Sequence, residues 1–259
     1  MSKTKSRAPH LFQSWKQIKK RIRAAEDIRL FLDFDGTLVP ICPTPKDVRL
    51  AEPVRRILGR LNRHPRVHVA LVSGRRNAVL RKYIRVPHIE LLGLYGWERN
   101  GGIVLPAGTR KALPRLRSVI RQLPAQIPGI RVEEKGVSFG IHFRGASPQP
   151  IRRAKIWARK FLTGIRADFS VIHGNRAWGI VPRQVKGKGL ALHEFMKDLR
   201  TPFLPIYLGD DLTDEPAFKV LRRGITIRVG SSSPTNAHFG LSDPREVRAF
   251  LERLEKELR

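Results

Sequence analysis

Five short apolar runs constrain this chain's fold more than any other feature. Residues 28–34 (IRLFLDF), 67–72 (VHVALV), 89–94 (IELLGL) and 205–209 (PIYLG) are mostly continuous in apolar side chains rather than alternating, and 225–229 (ITIRV) reads as a further strand. A strand apolar on both sides must be covered on both sides, which is the condition of a parallel sheet between helical layers. The segments between them supply helices. Pro53 suits a first helical turn, and Val54, Ile57, Leu58 and Leu61 fall on one face of a helix over 52–64. Further helices are expected near 75–84, 189–199 and 215–222. Another lies at the C-terminus, where Val247, Phe250, Leu251 and Leu254 share a face. No apolar run approaches the roughly 18 residues of a membrane span.

The rhythm changes after about residue 105. Leu116, Val119, Ile120 and Leu123 mark a helix, and 130–134 and 137–143 read as strands joined at Lys135-Gly136. A helix near 149–163 and strands near 169–173 and 176–182 complete an αββαββ pattern, which suits an antiparallel sheet with helices on one face. The expectation is therefore α/β: a doubly wound, Rossmann-like parallel-sheet core over 28–105 and 184–259, with an inserted α+β cap over 106–183. A basic segment, 1–27, precedes the core and reads as a solvated helix.

The chain of 259 residues holds 51 Lys and Arg against 22 Asp and Glu, a net charge of +29. Such a chain attracts polyanions at low salt. The basic residues are scattered, with no zinc-finger spacing, no basic region leading into heptads and no interleaved aromatic platform. This predicts weak electrostatic binding to nucleic acid without a specific site, and attraction of a small phosphorylated substrate. The single cysteine, Cys42, cannot form an internal disulfide, and no local His or Asn pattern makes it a nucleophile. The basic start lacks the apolar stretch of a secretory signal. A cytoplasmic monomer without membrane association is expected.

Four motifs carry chemistry. DFDGTL places Asp33 and Asp35 at the carboxyl end of the first strand, where open α/β sheets bind ligands. Spaced two apart, both can face one crevice, one attacking phosphorus and the other moving a proton. VALVSGR ends a strand at Ser73, whose hydroxyl, with the N–H groups of Gly74 and Arg75, suits a phosphate. KGKG (186–189) opens a helix and offers Lys186 or Lys188 to neutralise a transferring phosphoryl group. YLGDDLTDEPAF gathers Asp210, Asp211 and Asp214 at another strand end, and hard oxygen ligands suit magnesium.

In this order, DFDGTL, the Ser73 turn, the helix-opening lysine and GDDLTD resemble the haloacid dehalogenase superfamily of phosphatases. The PIC loop after DFDGTLV, VSGRR, GLYGWE, EKGVSFGIHFR and GDDLTDEPAF resemble, more narrowly, the trehalose-6-phosphate phosphatase family, from about residue 28 to the C-terminus. That resemblance implies a magnesium-dependent phosphomonoesterase acting on trehalose 6-phosphate. Asp33 would be the nucleophile, Asp35 the general acid/base, Ser73 a phosphate ligand, and Lys188, within KGLAL, the bridging lysine. Asp33, the Asp35 carbonyl and Asp210 would hold Mg2+, with Asp211 and Asp214 supporting. Glu98, Lys135, Ser138, His142 and Arg144 would face the sugar. Two departures stand out. Tyr95 replaces the family's usual His, and Gly179 and Val181 fall where a Glu and an Arg precede the cap's closing Pro182. The alternatives are a phosphatase of another sugar or glycosyl-polyol phosphate, or a polyanion-binding protein on a degenerate phosphatase fold.

Overall fold

All five apolar runs become strands of one sheet. The computed structural model describes residues 8–42, 48–99, 102–143, 145–174, 176–199, 201–230 and 234–259. The chain forms α1 (Trp15–Ala24), β1 (Ile28–Leu32), α2 (Glu52–Arg63), β2 (Val67–Val72), α3 (Asn77–Ile84) and β3 (Glu90–Leu92). It continues as α4 (Ala107–Gln126), β4 (Arg131–Glu134), β5 (Phe139–His142), α5 (Pro148–Thr163), β6 (Phe169–Gly174) and β7 (Ala177–Pro182). It ends as α6 (Lys188–Lys197), β8 (Leu204–Gly209), α7 (Glu215–Val220), β9 (Ile225–Val229), β10 (Phe239–Leu241) and α8 (Pro244–Glu257). Two units result: Met1–Gly101 with Gly187–Arg259, and Gly102–Lys186.

The first unit is a six-stranded parallel sheet in the order β10-β9-β8-β1-β2-β3. From β1 the chain winds outward through β2 and β3, then returns to the other side through β8, β9 and β10. Successive residues of β1 serve opposite layers. Leu30 and Leu32 pack with Ile57, Leu61, Phe250 and Leu254, whereas Phe31 packs with Leu192, Phe195 and Phe218. Burial on both faces is why β1 carries no alternation. The edge strand β10 was not apparent in the sequence, because its three residues, FGL, are too few to show a period.

The segment before β1 is not a solvated helix. Leu11, Ile18 and Ile22 are fully buried in the core, and the Trp15 ring meets Phe250 edge-on at 6.2 Å. Residues 11, 15, 18 and 22 form a 4-3-4 apolar stripe. The abundance of Lys and Arg on the opposite face hid it.

The second unit is an antiparallel sheet, β4-β5-β7-β6. Phe139, Ile141, Trp178 and Ile180 project from one face into a core shared with Leu116 and Ile120 of α4 and Ala154 and Ala158 of α5. The opposite face carries Glu133, Gly140, Gly179 and Ile172 in one cross-strand row.

Candidate active site

Because β8, β1 and β2 are neighbours, three motifs end side by side at one edge of the sheet. Asp33 follows β1, Ser73 follows β2 and Asp210 follows β8, the crevice where the winding direction reverses. Gly36 lets the first loop close on the third. Its φ is +81°, and a Cβ there would lie 2.1 Å from Asp210 Oδ2, so only glycine fits.

Carboxylate oxygens of Asp33, Asp210 and Asp214 lie within 4.8 Å of one another. Lys188, the first residue of α6, enters this cluster. Its Nζ is 2.9 Å from Asp33 Oδ1 and 2.7 Å from Asp214 Oδ1. Asp214 is fully engaged: Oδ1 also accepts the Tyr207 hydroxyl at 2.6 Å, and Oδ2 accepts the Asp211 N–H at 2.8 Å. Gly209 makes room for it, since a Cβ there would sit 2.3 Å from Asp214 Cγ. Burial pushes the Asp33 carboxyl up to about 7 against the pull of Lys188, with Asp214 adding to the rise. Burial, then Asp33 and Asp214, hold Asp210 well above the ordinary carboxylate range. Burial works against charge on Lys188, but Asp214 and Asp33 overrule it and keep the ammonium protonated far above its usual range. One cation thus faces three carboxylates, two of them buried and that of Asp210 partly exposed. An all-oxygen donor set with surplus negative charge fits a hard divalent cation.

The remaining expected residues have distinct positions. Asp35 turns away from the cluster, and both its oxygens take the Arg75 guanidinium, at 2.6 and 2.7 Å. That guanidinium also lies over the rings of Phe34 and Tyr83, 5.6 and 5.4 Å from their centroids. Asp211 also lies outside the cluster; its Oδ1 accepts the Leu212 N–H and starts the turn that aims Asp214. Ser73 is buried, and its Oγ accepts the Arg75 N–H at 3.2 Å. Gly74 lies under the Tyr95 ring, where a Cβ would be 2.9 Å from Tyr95 Cζ. Lys186 is exposed, while Lys188 is buried against Asp33.

Glu98 is buried at the start of α3. It accepts the Asn77 N–H at 2.8 Å and Arg76 at 3.1 Å, a carboxylate at a helix N-terminus. Lys135, Ser138 and His142 belong to the second unit. His142 Nε2 and Lys135 Nζ lie 3.1 and 3.5 Å from Glu133 Oε2. Ser138 Oγ is buried without a hydrogen-bond partner among the described residues. Arg144 lies outside the described residues.

Sequence reasoning missed three participants. Glu133 is the hub of the second unit's polar group, yet in sequence it is one acid of a strand. Tyr207 orders Asp214; a tyrosine in a strand buried on both faces needs a partner for its hydroxyl, and that was the available signal. Glu215 accepts Thr235 Oγ1 at 2.6 Å and the Asn236 N–H at 2.8 Å, tying the GDDLTDE loop to residues 235–236. Nothing in the local sequence announces a bond spanning twenty residues.

A family model described as trehalose-phosphatase matches residues 31–245. The chain belongs to the trehalose-phosphatase family. Trehalose 6-phosphate phosphatase RA3 of Zea mays is 32% identical, over 88% of this chain and 70% of that protein. The trehalose-6-phosphate phosphatase of Escherichia coli K12 is 34% identical, over 86% and 84%. In three dimensions this trehalose-phosphatase family member shares its fold with the C-terminal domain of Candida albicans trehalose-6-phosphate phosphatase. The TM-score is 0.82 over 96% of this chain and 99% of that one, at 22% identity.

Proposed function

We propose that this protein hydrolyses trehalose 6-phosphate through a phosphoaspartate on Asp33, with magnesium, releasing trehalose and phosphate. The observation that carries the reading is Lys188 Nζ held 2.9 Å from Asp33 inside the carboxylate cluster. Asp33 Oδ attacks phosphorus as the phosphorus–sugar oxygen bond breaks, and Asp35, released from Arg75 when substrate binds, gives that oxygen its proton. Asp35 then takes a proton from water, which attacks the same phosphorus and releases Asp33. Lys188 offsets repulsion between the Asp33 carboxylate and the phosphoryl oxygens. Ser73 and the N–H groups of Gly74 and Arg75 hold the phosphate. Asp33, Asp210 and the Asp35 carbonyl would hold Mg2+, which when bound neutralises phosphoryl charge. Asp214 acts through Lys188, and Asp211 through Asp214.

Lys135, Ser138, His142 and Arg144 are the proposed sugar contacts in the second unit, with Glu98 at the first unit's phosphate loop. Gly179 favours a second reading, another sugar or glycosyl-polyol phosphate. It sits in register with Gly140, so two glycines lie side by side at the centre of the Glu133 row, where neither brings a charged side chain. Absence of one charged hydrogen bond to a sugar hydroxyl costs about 1.5–3 kcal/mol, roughly ten- to hundredfold in discrimination. The test is kcat/KM for trehalose 6-phosphate, glucose 6-phosphate and a glycosyl-glycerol phosphate. Trehalose 6-phosphate should rank among the better substrates, with a shallow margin. A clear preference for the glycerol ester would establish the second reading instead.

A further inference from the structure

The second unit has a charge distribution that phosphate-ester hydrolysis does not use. Between residues 102 and 186 the only acids are Glu133, Glu134 and Asp168, against seventeen Lys and Arg. Neither α4 nor α5 contains an Asp or Glu. In the first unit α1 is likewise free of acids, but α8 balances Glu246, Glu252, Glu255 and Glu257 against four basic residues, the usual solvated mixture. A soluble domain of this size ordinarily carries a net charge of about 2–8.

The basic residues of the two helices form one surface. Both helices bury their apolar rows on the same side of the sheet. Arg153 of α5 donates to the Gln126 carbonyl at the end of α4 at 2.8 Å, so their outer faces adjoin. Arg110, Lys111, Arg115, Arg152, Arg153 and Lys155 are all exposed there. Among the described residues, the unit's three acids leave these six cations without a carboxylate in the ion pairs they form. Glu134 is spent on Arg117 and Arg121 of α4, Glu133 meets His142 and Lys135, and Asp168 accepts Thr109.

We infer that the outer faces of α4 and α5 are a docking surface for nucleic acid, gripping the phosphate backbone without reading sequence. Arg110 to Arg115 spans about 8 Å of helix at ~1.5 Å per residue, roughly two phosphate steps along one strand. Four of the six exposed cations are Arg, whose planar fork matches phosphate better than a lysine ammonium. An anionic membrane is the weaker fit. Ile156 is the one large apolar side chain these helices expose among the described residues, too little to enter a lipid interface.

The intact protein is titrated into a fluorescent duplex of arbitrary sequence at about 50 and about 200 mM salt. The expected result is measurable binding at low salt that weakens at least a hundredfold at the higher, equal for an unrelated sequence. Arg152→Glu/Arg153→Glu/Lys155→Glu should reduce the log–log salt slope by about 2.7, at ~0.9 per phosphate contact. Lys111→Glu/Arg115→Glu, on the other helix, should reduce it by about 1.8. Lys16→Glu/Lys20→Glu, on the first unit, should leave it within about 0.5, and all three variants should keep wild-type phosphatase turnover. No binding at low salt, an equal loss in the Lys16/Lys20 variant, or an unchanged slope in both cap variants overturns the inference. Tighter binding to phosphatidylserine vesicles than to duplex, lost in the same cap variants, replaces nucleic acid with a membrane.

Discussion

Asp214 is the residue whose replacement tests the site most sharply. It is completely buried and accepts Lys188 at 2.7 Å, Tyr207 at 2.6 Å and the Asp211 N–H at 2.8 Å. All three partners are donors. Asp214→Asn keeps the shape but turns one acceptor into an NH2 group. If that group faces Asp211, two N–H donors collide and a buried backbone N–H loses its partner, at about 1–3 kcal/mol. If it faces Lys188, the ammonium loses its shorter carboxylate contact. Breaking a buried ion pair from one side costs about 3–5 kcal/mol. For a chain of this size that corresponds to a fall in melting temperature of roughly 6–20 °C. Lys188, no longer held, should also drift from Asp33, lowering kcat more than it raises KM. Tyr207→Phe removes one charged hydrogen bond and should cost about 1.5–3 kcal/mol. Urea unfolding and steady-state kinetics of both variants, without and with magnesium, make the measurement. Asp214→Asn unfolding within about 1 kcal/mol of wild type, with normal turnover, would refute the reasoning.

Three further outcomes are expected. Asp33→Asn should abolish turnover and phosphoprotein trapping while leaving circular dichroism unchanged, because an amide does not attack phosphorus, and wild-type turnover should vanish with chelator; metal-free hydrolysis would contradict the proposed chemistry. Gly36→Ala, at φ +81° and 2.1 Å from Asp210 Oδ2, should cost about 1–2 kcal/mol of backbone strain and raise the magnesium concentration for half-maximal activity; an unchanged metal dependence would mean Asp210 is not a ligand. Burial disfavours charge on Glu246, yet the Ser242 N–H and His10 hold its carboxyl below the ordinary 4.5. A depressed carboxyl contributes stability above its unfolded value and loses it as pH falls, so Glu246→Gln should destabilise at pH above about 4.5 and converge with wild type in acid. A stability difference independent of pH would remove the ionic role.

The core fold was legible because its signals are local. Strands buried on both faces must be continuously apolar, and helices covering them must be striped, so 28–34, 67–72 and 205–209 announced a parallel sheet by themselves. The carboxylate cluster was legible for the same reason: DFDGTL and GDDLTD place Asp33, Asp210 and Asp214 within a few residues of a strand end. Only the folded chain shows that glycine is required at 36 by Asp210, which lies far along the sequence. The choice between Lys186 and Lys188 illustrates the limit. Both open the same helix on paper, and it is the packing of α6 that buries one ammonium among carboxylates and leaves the other in water. Asp35 and Asp211 lie only two residues and one residue from Asp33 and Asp210, so the sequence put all four at one place. Tertiary contacts separated them, sending Asp35 to Arg75 and Asp211 to the Leu212 N–H. The N-terminal helix failed in the opposite direction, since its charge suggested solvent while a partner surface on α8 existed to bury its stripe. Local order follows from neighbours along the chain. The ion pairs that set acidity, and the hub roles of Tyr207 and Glu133, follow from neighbours in space, which no spacing of residues records.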